Sequence, residues 1–210
     1  MATPRFGAGR PGTILIHGYG ADGDDLAPLA GMLPGTVLVP TAEDRTPHGG
    51  RQWWPIDDGG HPGYALVAAD AAREPHAGVA AATTRIHGLV DELVDELPDG
   101  PVLLAGFSQG AMLALAAGLA DPRVRVIVAM SGALTRDAAA LAAQAAPRRI
   151  LVAHGRQDPI VPYAAGEAAS RILAEAGHDV EFIAFDGGHG VPPHVAAALA
   201  EEARRLAPDA

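Results

Sequence analysis

The chain has 210 residues, which suits one domain or at most two. Hydrophobic residues at 49% and charged residues at 19% exclude a disordered chain, and a net charge of −10 with 15 scattered basic residues excludes nucleic acid and anionic membrane surfaces as partners. The absence of cysteine excludes disulfides, cysteine zinc sites and a thiol nucleophile.

Met1 to Gly12 is polar and rich in Gly and Pro, with no apolar core of signal-peptide length. Thr13 to His17 and Thr36 to Val39 read as buried strands, as do Val102 to Ala105, Val124 to Ala129, Ile150 to Ala153 and Val180 to Ala184. Apolar residues at nearly every position are expected of strands covered by helices on both faces. Between them, Val79 to Leu97 has helical apolar spacing and is stopped by Pro98, Asp99 and Gly100. Gln109 to Ala120, Tyr163 to Ala176 and Pro193 to Leu206 are further helices, and Ser131 to Pro147 reads as a short Ala-rich helix beside a loop. Strands alternating with helices predict a mostly parallel sheet with right-handed crossovers. Thr41 to Gly78 breaks this rhythm as a long loop rich in Gly, Pro, His and Asp. The longest apolar stretch, Val102 to Leu119, is interrupted by Ser108, Gln109 and glycines, so no membrane span is expected and a cytoplasmic location follows by default. No repeat or linker divides the chain, so residues 1–210 are expected to form a single domain.

Gly106-Phe107-Ser108-Gln109-Gly110 fits G-x-S-x-G where a strand hands over to a helix. A nucleophile elbow needs that context: a sharp turn projects the serine oxygen, and the glycines let strand and helix approach closely. A serine hydroxyl needs a base, and the chain order expected on such a sheet is nucleophile, acid, histidine. His189, in a Gly-rich loop just past a strand, is the candidate base. His154 precedes the acid candidate and reads as a loop histidine bonded to nearby backbone; His178 falls in a turn at the opposite sheet end, and His194 in the first turn of the last helix. Asp158 is the first choice of acid, and Asp186, three residues from His189, the second. His17-Gly18-Tyr19-Gly20 follows the first strong strand and resembles an oxyanion loop. The backbone N–H groups of Tyr19 and Gln109 are the candidate oxyanion donors, with His17 a loop-orienting residue.

Trp53 and Trp54 are open between core packing and an acyl pocket. Three histidines of the long loop region, His48, His61 and His76, have no recognised metal spacing, so no metal is expected.

These residues resemble the phospholipase/carboxylesterase family of α/β-hydrolases, which includes bacterial carboxylesterases and acyl-protein thioesterases. The matching pieces are LIHGYGADGDDL from Leu15, GRQWWPID from Gly50, LLAGFSQGAMLAL from Leu103, HGRQDPIVP from His154 and GGHGVP from Gly187. The resemblance implies a single-domain α/β-hydrolase fold, with no insertion large enough for a separate cap domain. It puts Ser108, Asp158 and His189 at the triad positions and Tyr19 and Gln109 at the oxyanion hole. Val161, in HGRQDPIVP, joins Trp53 and Trp54 as a substrate-pocket candidate. The short stretch before the first strong strand implies that the early antiparallel strands of larger members are missing or reduced. Trp54 and Pro55 stand where many relatives carry a smaller aromatic and an acidic residue, which bears on acyl preference.

The leading expectation is a serine carboxylic-ester hydrolase acting on small to medium acyl esters, without cofactor. Thioester or lysophospholipid cleavage would use the same machinery. A non-catalytic ligand receptor on the same fold is a second class, against which an intact triad argues. A dehalogenase would need a carboxylate at the elbow. The expected partner is a small-molecule ester, and monomer and homodimer both stay open.

Overall fold

Residues with unbroken apolar runs form the inner strands of a seven-stranded sheet in this computed structural model, which describes residues 3–56, 77–98 and 100–207. In chain order the strands are β1 (Arg5–Phe6), β2 (Gly12–Ile16), β3 (Thr36–Leu38), β4 (Asp44–Arg45), β5 (Arg51–Gln52), β6 (Val102–Phe107), β7 (Val124–Met130), β8 (Arg149–Gly155) and β9 (Asp179–Phe185). The sheet order is β1-β3-β2-β6-β7-β8-β9, and β4 and β5 pair separately as a small antiparallel ribbon. All neighbours in the large sheet run parallel except β1 against β3.

The helices are α1 (Ala27–Ala30), entered through a 3₁₀ turn at Gly23–Leu26, then α2 (Ala77–Glu96), α3 (Gln109–Ala120), α4 (Arg136–Ala142), α5 (Tyr163–Glu175) and α6 (Pro193–Leu206). Strand alternation sends side chains to two separate cores. Ile14, Ile16, Leu104, Ile127 and Ala129 face α2, α3, α4 and α5, where Ile86, Leu93, Leu113 and Leu173 meet them. Leu15, Leu103, Ala105, Val128 and Met130 face the other way, against Leu26 before α1 and Val195 and Leu199 of α6. Helix α3 is buried at every position from Gln109 to Leu119, which is why its sequence is apolar all round.

Strands β6 to β9 extend one or two residues past their expected ends, whereas β2 is shifted back by one residue and β3 stops one residue short. Two features differ more. The edge strand β1 and the β4–β5 ribbon carry too few residues to show a period. β9 has a half-exposed pattern instead of full burial: it is an edge strand, and Glu181 on it points outward to an ion pair with Arg149. Among the described residues one two-residue antiparallel strand, β1, precedes β2 in the chain. Residues 57–76 of the long loop, with His61 and His76, lie outside the described residues. Among the described residues no helix is long and apolar enough to cross a membrane, and no cluster of His, Cys, Asp or Glu is arranged to hold a metal.

The chain runs outward from β2 to β3, then returns across β2 to β6 and continues outward through β7, β8 and β9. The reversal point lies between β2 and β6, and open α/β sheets bind ligands outside the carboxyl ends of the strands at such a point. The loop His17–Gly20 leaves β2 there, and Ser108 leaves β6 beside it.

Candidate active site

Ser108 sits between β6 and α3 with φ 56° and ψ −117°, a conformation that costs an L-residue about 1–3 kcal/mol. The turn is held from outside: the Ser108 N–H donates to the Met130 carbonyl at 2.9 Å, and the Ser108 carbonyl accepts from Ala111 and Met112 N–H. The flanking glycines are dictated by close approach. A Cβ on Gly106 would fall 2.1 Å from the Gly110 carbonyl oxygen, and one on Gly110 would fall 2.2 Å from the Ile16 carbonyl oxygen. The motif therefore lets β6, α3 and β2 meet at van der Waals distance while Ser108 points into a cleft.

The loop after β8 carries Asp158, whose side chain is fully buried. One carboxylate oxygen, Oδ1, accepts from the N–H groups of Ile160 and Val161 at 2.8 and 2.9 Å. The other, Oδ2, lies 2.8 Å from Nδ1 of His189. Two donors on Oδ1 orient the carboxylate, so Oδ2 is aimed at the imidazole. His189 packs against the Phe107 ring at 4.7 Å between centroids and is 16% exposed. With Nδ1 bound to the carboxylate, the opposite ring nitrogen is left for the cleft. The two loops are laced together: Arg156 N–H donates to Phe185 O at 2.9 Å and Gln157 N–H to Gly187 O at 3.0 Å. Ser131, after β7, adds a hydroxyl contact to the Gly190 carbonyl at 3.3 Å.

His154 is fully buried, with Nε2 2.9 Å from the Val161 carbonyl and 3.3 Å from Asp158 Oδ2. Two acceptors facing Nε2 assign its proton there. Nδ1 has no partner among the described residues and abuts Gly166, where a Cβ would come within 2.5 Å. Burial pushes the His154 imidazole below its ordinary value, against the opposing pull of the Val161 carbonyl and Asp158.

His17 is also fully buried. Its Nε2 accepts from the Ala42 N–H at 3.0 Å, so Nδ1–H donates to the Gly18 carbonyl at 2.7 Å. Burial lowers its pKa, which keeps it neutral, and the ring fixes the loop that carries Tyr19. Gln109 clamps the next segment: Oε1 accepts from Trp53 N–H and Nε2 donates to the Trp54 carbonyl, both at 2.9 Å. Trp53 Nε1 donates to the His17 carbonyl at 2.9 Å.

Ser108, Gln109, His189, Gly18 and Tyr19 all line one cavity of about 220 Å³, closed by Ile56, Met112, Ile160 and Val161. Residues 9–201 of this chain match the profile of the phospholipase/carboxylesterase family. The chain belongs to the phospholipase/carboxylesterase family. Acyl-protein thioesterase 1 of Schizosaccharomyces pombe is 36% identical over 110 residues, 50% of this chain and 49% of that one. A probable carboxylesterase of Oryza sativa subsp. japonica is 31% identical over 134 residues, 61% of this chain and 50% of that one. The chain thus spans about half the length of these curated relatives in the aligned regions. The crystal structure of esterase PE8 superposes with a TM-score of 0.81 at 27% identity, covering 98% of this chain and 99% of that one. The architecture is the α/β-hydrolase fold, in a hydrolase family with carboxylesterase and thioesterase relatives.

Seen as a phospholipase/carboxylesterase family member, the chain brings Ser108, Gln109, Tyr19, Val161 and His189 to one cavity, with Asp158 buried behind His189. It does not bring Trp53 and Trp54 there. Both are buried in the core, at 7% and 3% exposure, and neither lines a described cavity. The reason is the double clamp of Gln109, with the Trp53 ring held between His17 and the Arg85 guanidinium. Asp186 projects into solvent with its side chain 91% exposed and pairs only loosely with Arg156 at 3.7 Å. His178 is buried at the far end of the sheet, between the Arg148 N–H and the Ala142 carbonyl, and His194 is exposed. Ile56, Met112 and Ile160 were not anticipated as lining residues. Ile160 was signalled by its neighbour Val161; nothing local marks the other two.

Proposed function

We propose that the protein is a serine carboxylic-ester hydrolase with Ser108 as nucleophile, His189 as base and Asp158 as the acid. The observation that carries this reading is the 2.8 Å bond from His189 to a buried Asp158, with His189 and Ser108 lining one cavity at the topological switch point. Ser108 Oγ attacks the carbonyl carbon as His189 takes its proton. The tetrahedral oxyanion sits against the backbone N–H groups of Tyr19 and Gln109, the latter at the start of α3 where the helix dipole favours negative charge. Collapse breaks the bond to the alcohol, which leaves with the proton from His189. Water, activated by the same imidazole, then frees the acid and restores Ser108. Asp158 holds the imidazole in one tautomer and supports its charge. Residues 1–210 act as one unit in this scheme, on a small-molecule ester and without cofactor or metal.

A thioester is the second reading, favoured by the name of the Schizosaccharomyces pombe relative, because the same atoms serve a thiol leaving group. The test is hydrolysis of p-nitrophenyl acetate by Ser108→Ala. A loss in kcat on the order of 10⁴-fold or more, in a folded protein, is expected. Wild-type turnover in a clean preparation of the variant would refute the assignment.

A further inference from the structure

A second cavity adjoins the first. It has a volume of about 730 Å³, against about 220 Å³ for the one that holds Ser108. His189, Phe107, Gly18 and Tyr19 border both, whereas Ser108 and Gln109 belong to the smaller alone. The larger runs from His189 between the α1 segment and the start of α6, with Leu26, Pro28, Leu29, Met32, Val191 and Ala196 as its walls. Met32 is 54% exposed, the one large hydrophobic side chain so exposed among the described residues.

We propose that this groove receives the leaving group, and that the preferred substrate is an ester joining a short acyl chain to a bulky, neutral, apolar alcohol. The inference rests on the Ser108, His189 and Asp158 reading above and specifies which side of the ester each cavity takes. The reacting carbonyl must sit where Ser108 and the Gln109 N–H converge, and both line the small cavity. Its two substituents then diverge. The alcohol oxygen must lie against His189, which protonates it as the C–O bond breaks. The space beyond His189 is the large groove, so the alcohol extends into it. The acyl chain is left with the pocket of Ile56, Met112, Ile160 and Val161.

Volume then separates the two sides. At about 220 Å³ the small cavity lies below the range of about 300–1,000 Å³ typical of drug-sized ligands, and the carbonyl itself takes part of it. The larger lies within that range. Charge narrows the class further. Asp25 lines the groove, and no Lys or Arg does among the described residues. An alcohol or thiol bearing phosphates would meet a carboxylate and no cation, whereas a hydrocarbon would cover Leu29 and Met32.

The experiment measures kcat/KM for two ester series: acetates of linear alcohols from ethyl to octyl, and ethyl esters of linear acids from acetate to octanoate. Every acetate passes through the same acetyl-enzyme, so differences within that series report contacts to the alcohol alone. The acetate series is expected to climb by about two- to fourfold per methylene until the groove is filled. The ethyl-ester series is expected to peak near butanoate and then fall. Met32→Asp, at a side chain exposed enough to leave folding intact, should cut the octyl-to-ethyl ratio about tenfold, and Met32→Leu should keep it. A flat acetate series, an acyl series that climbs to octanoate, or an unchanged ratio in Met32→Asp each overturns the proposal. Turnover near the wild-type rate in Ser108→Ala would instead overturn the catalytic reading beneath it, whatever the chain-length profile, so the two failures are separable.

Discussion

His154 and His189 both touch the same carboxylate oxygen, Asp158 Oδ2, at 3.3 and 2.8 Å, yet their surroundings differ completely. His154 is sealed: one ring nitrogen is spent on the Val161 carbonyl and the other faces Gly166 with no room for a partner. His189 sits in a loop rich in glycine, uses one nitrogen on Asp158 and borders both cavities with the rest of its ring. Under the proposed mechanism, proximity to a carboxylate is therefore not enough to make a base. What distinguishes the two is which imidazole keeps a nitrogen that a substrate can reach. The comparison also shows what His154 does. It pins the Val161 carbonyl while the Ile160 and Val161 N–H groups hold Asp158, so the loop carrying Asp158 is held in place.

The sharpest way to break the comparison is to exchange the losses. His189→Ala should lower kcat on the order of 10⁴-fold or more with the fold intact, because base and leaving-group acid vanish together. Asp158→Asn should lose on the order of 10⁴-fold, as removal of the acid does in another serine hydrolase, while the exposed Asp186→Asn should stay near wild type. Steady-state kinetics beside circular dichroism on the three variants checks this. A larger loss for Asp186→Asn would move the acid to that residue.

His154→Leu should show the opposite balance. It leaves the Val161 carbonyl buried and unpaired, at a cost of about 1–3 kcal/mol, and its kcat should fall far less than that of His189→Ala. Thermal melts beside kinetics would read both, and a fall in kcat equal to that of His189→Ala with no change in melting would erase the distinction.

The smallest effect is on pH. Burial lowers the pKa of His17 and His154 in the folded protein, so in acid the unfolded chain takes up protons that the folded one refuses. The stabilisation is complete above the unfolded value of about 6.5 and is lost as pH falls below it toward the folded values. Denaturant midpoints should therefore drop between about pH 7 and 5, and less so in His154→Leu than in wild type. Equal drops in both would place the acid sensitivity elsewhere.

Much of this was legible in the sequence because it depended on local rules. The elbow declares itself by two glycines around Ser108 at a strand-to-helix junction, and the inner strands by runs such as VLLA and ILVA. The helix of Gln109–Ala120 is bounded as its composition predicts. Other features depend on tertiary partners. VEFIA has the composition of a covered strand, but β9 has no neighbour on its outer side among the described residues. Trp53 and Trp54 have the chemistry of a pocket wall, yet a glutamine more than fifty residues away holds their backbone in the core. His154 reads as a loop histidine and is one, but that its ring reaches Asp158 follows only from the turn between them. The large groove was invisible for the same reason: α1 and the start of α6 are far apart in the chain and meet only in the fold.

The central claim is that Ser108 is a nucleophile activated by His189. It is tested most directly by treating the folded protein with a fluorophosphonate and mapping the adduct by peptide mass spectrometry. The account predicts one adduct on the peptide carrying Ser108, absent from Ser108→Ala and strongly slowed in His189→Ala. Labelling of another serine, with ester hydrolysis surviving in Ser108→Ala, would contradict it.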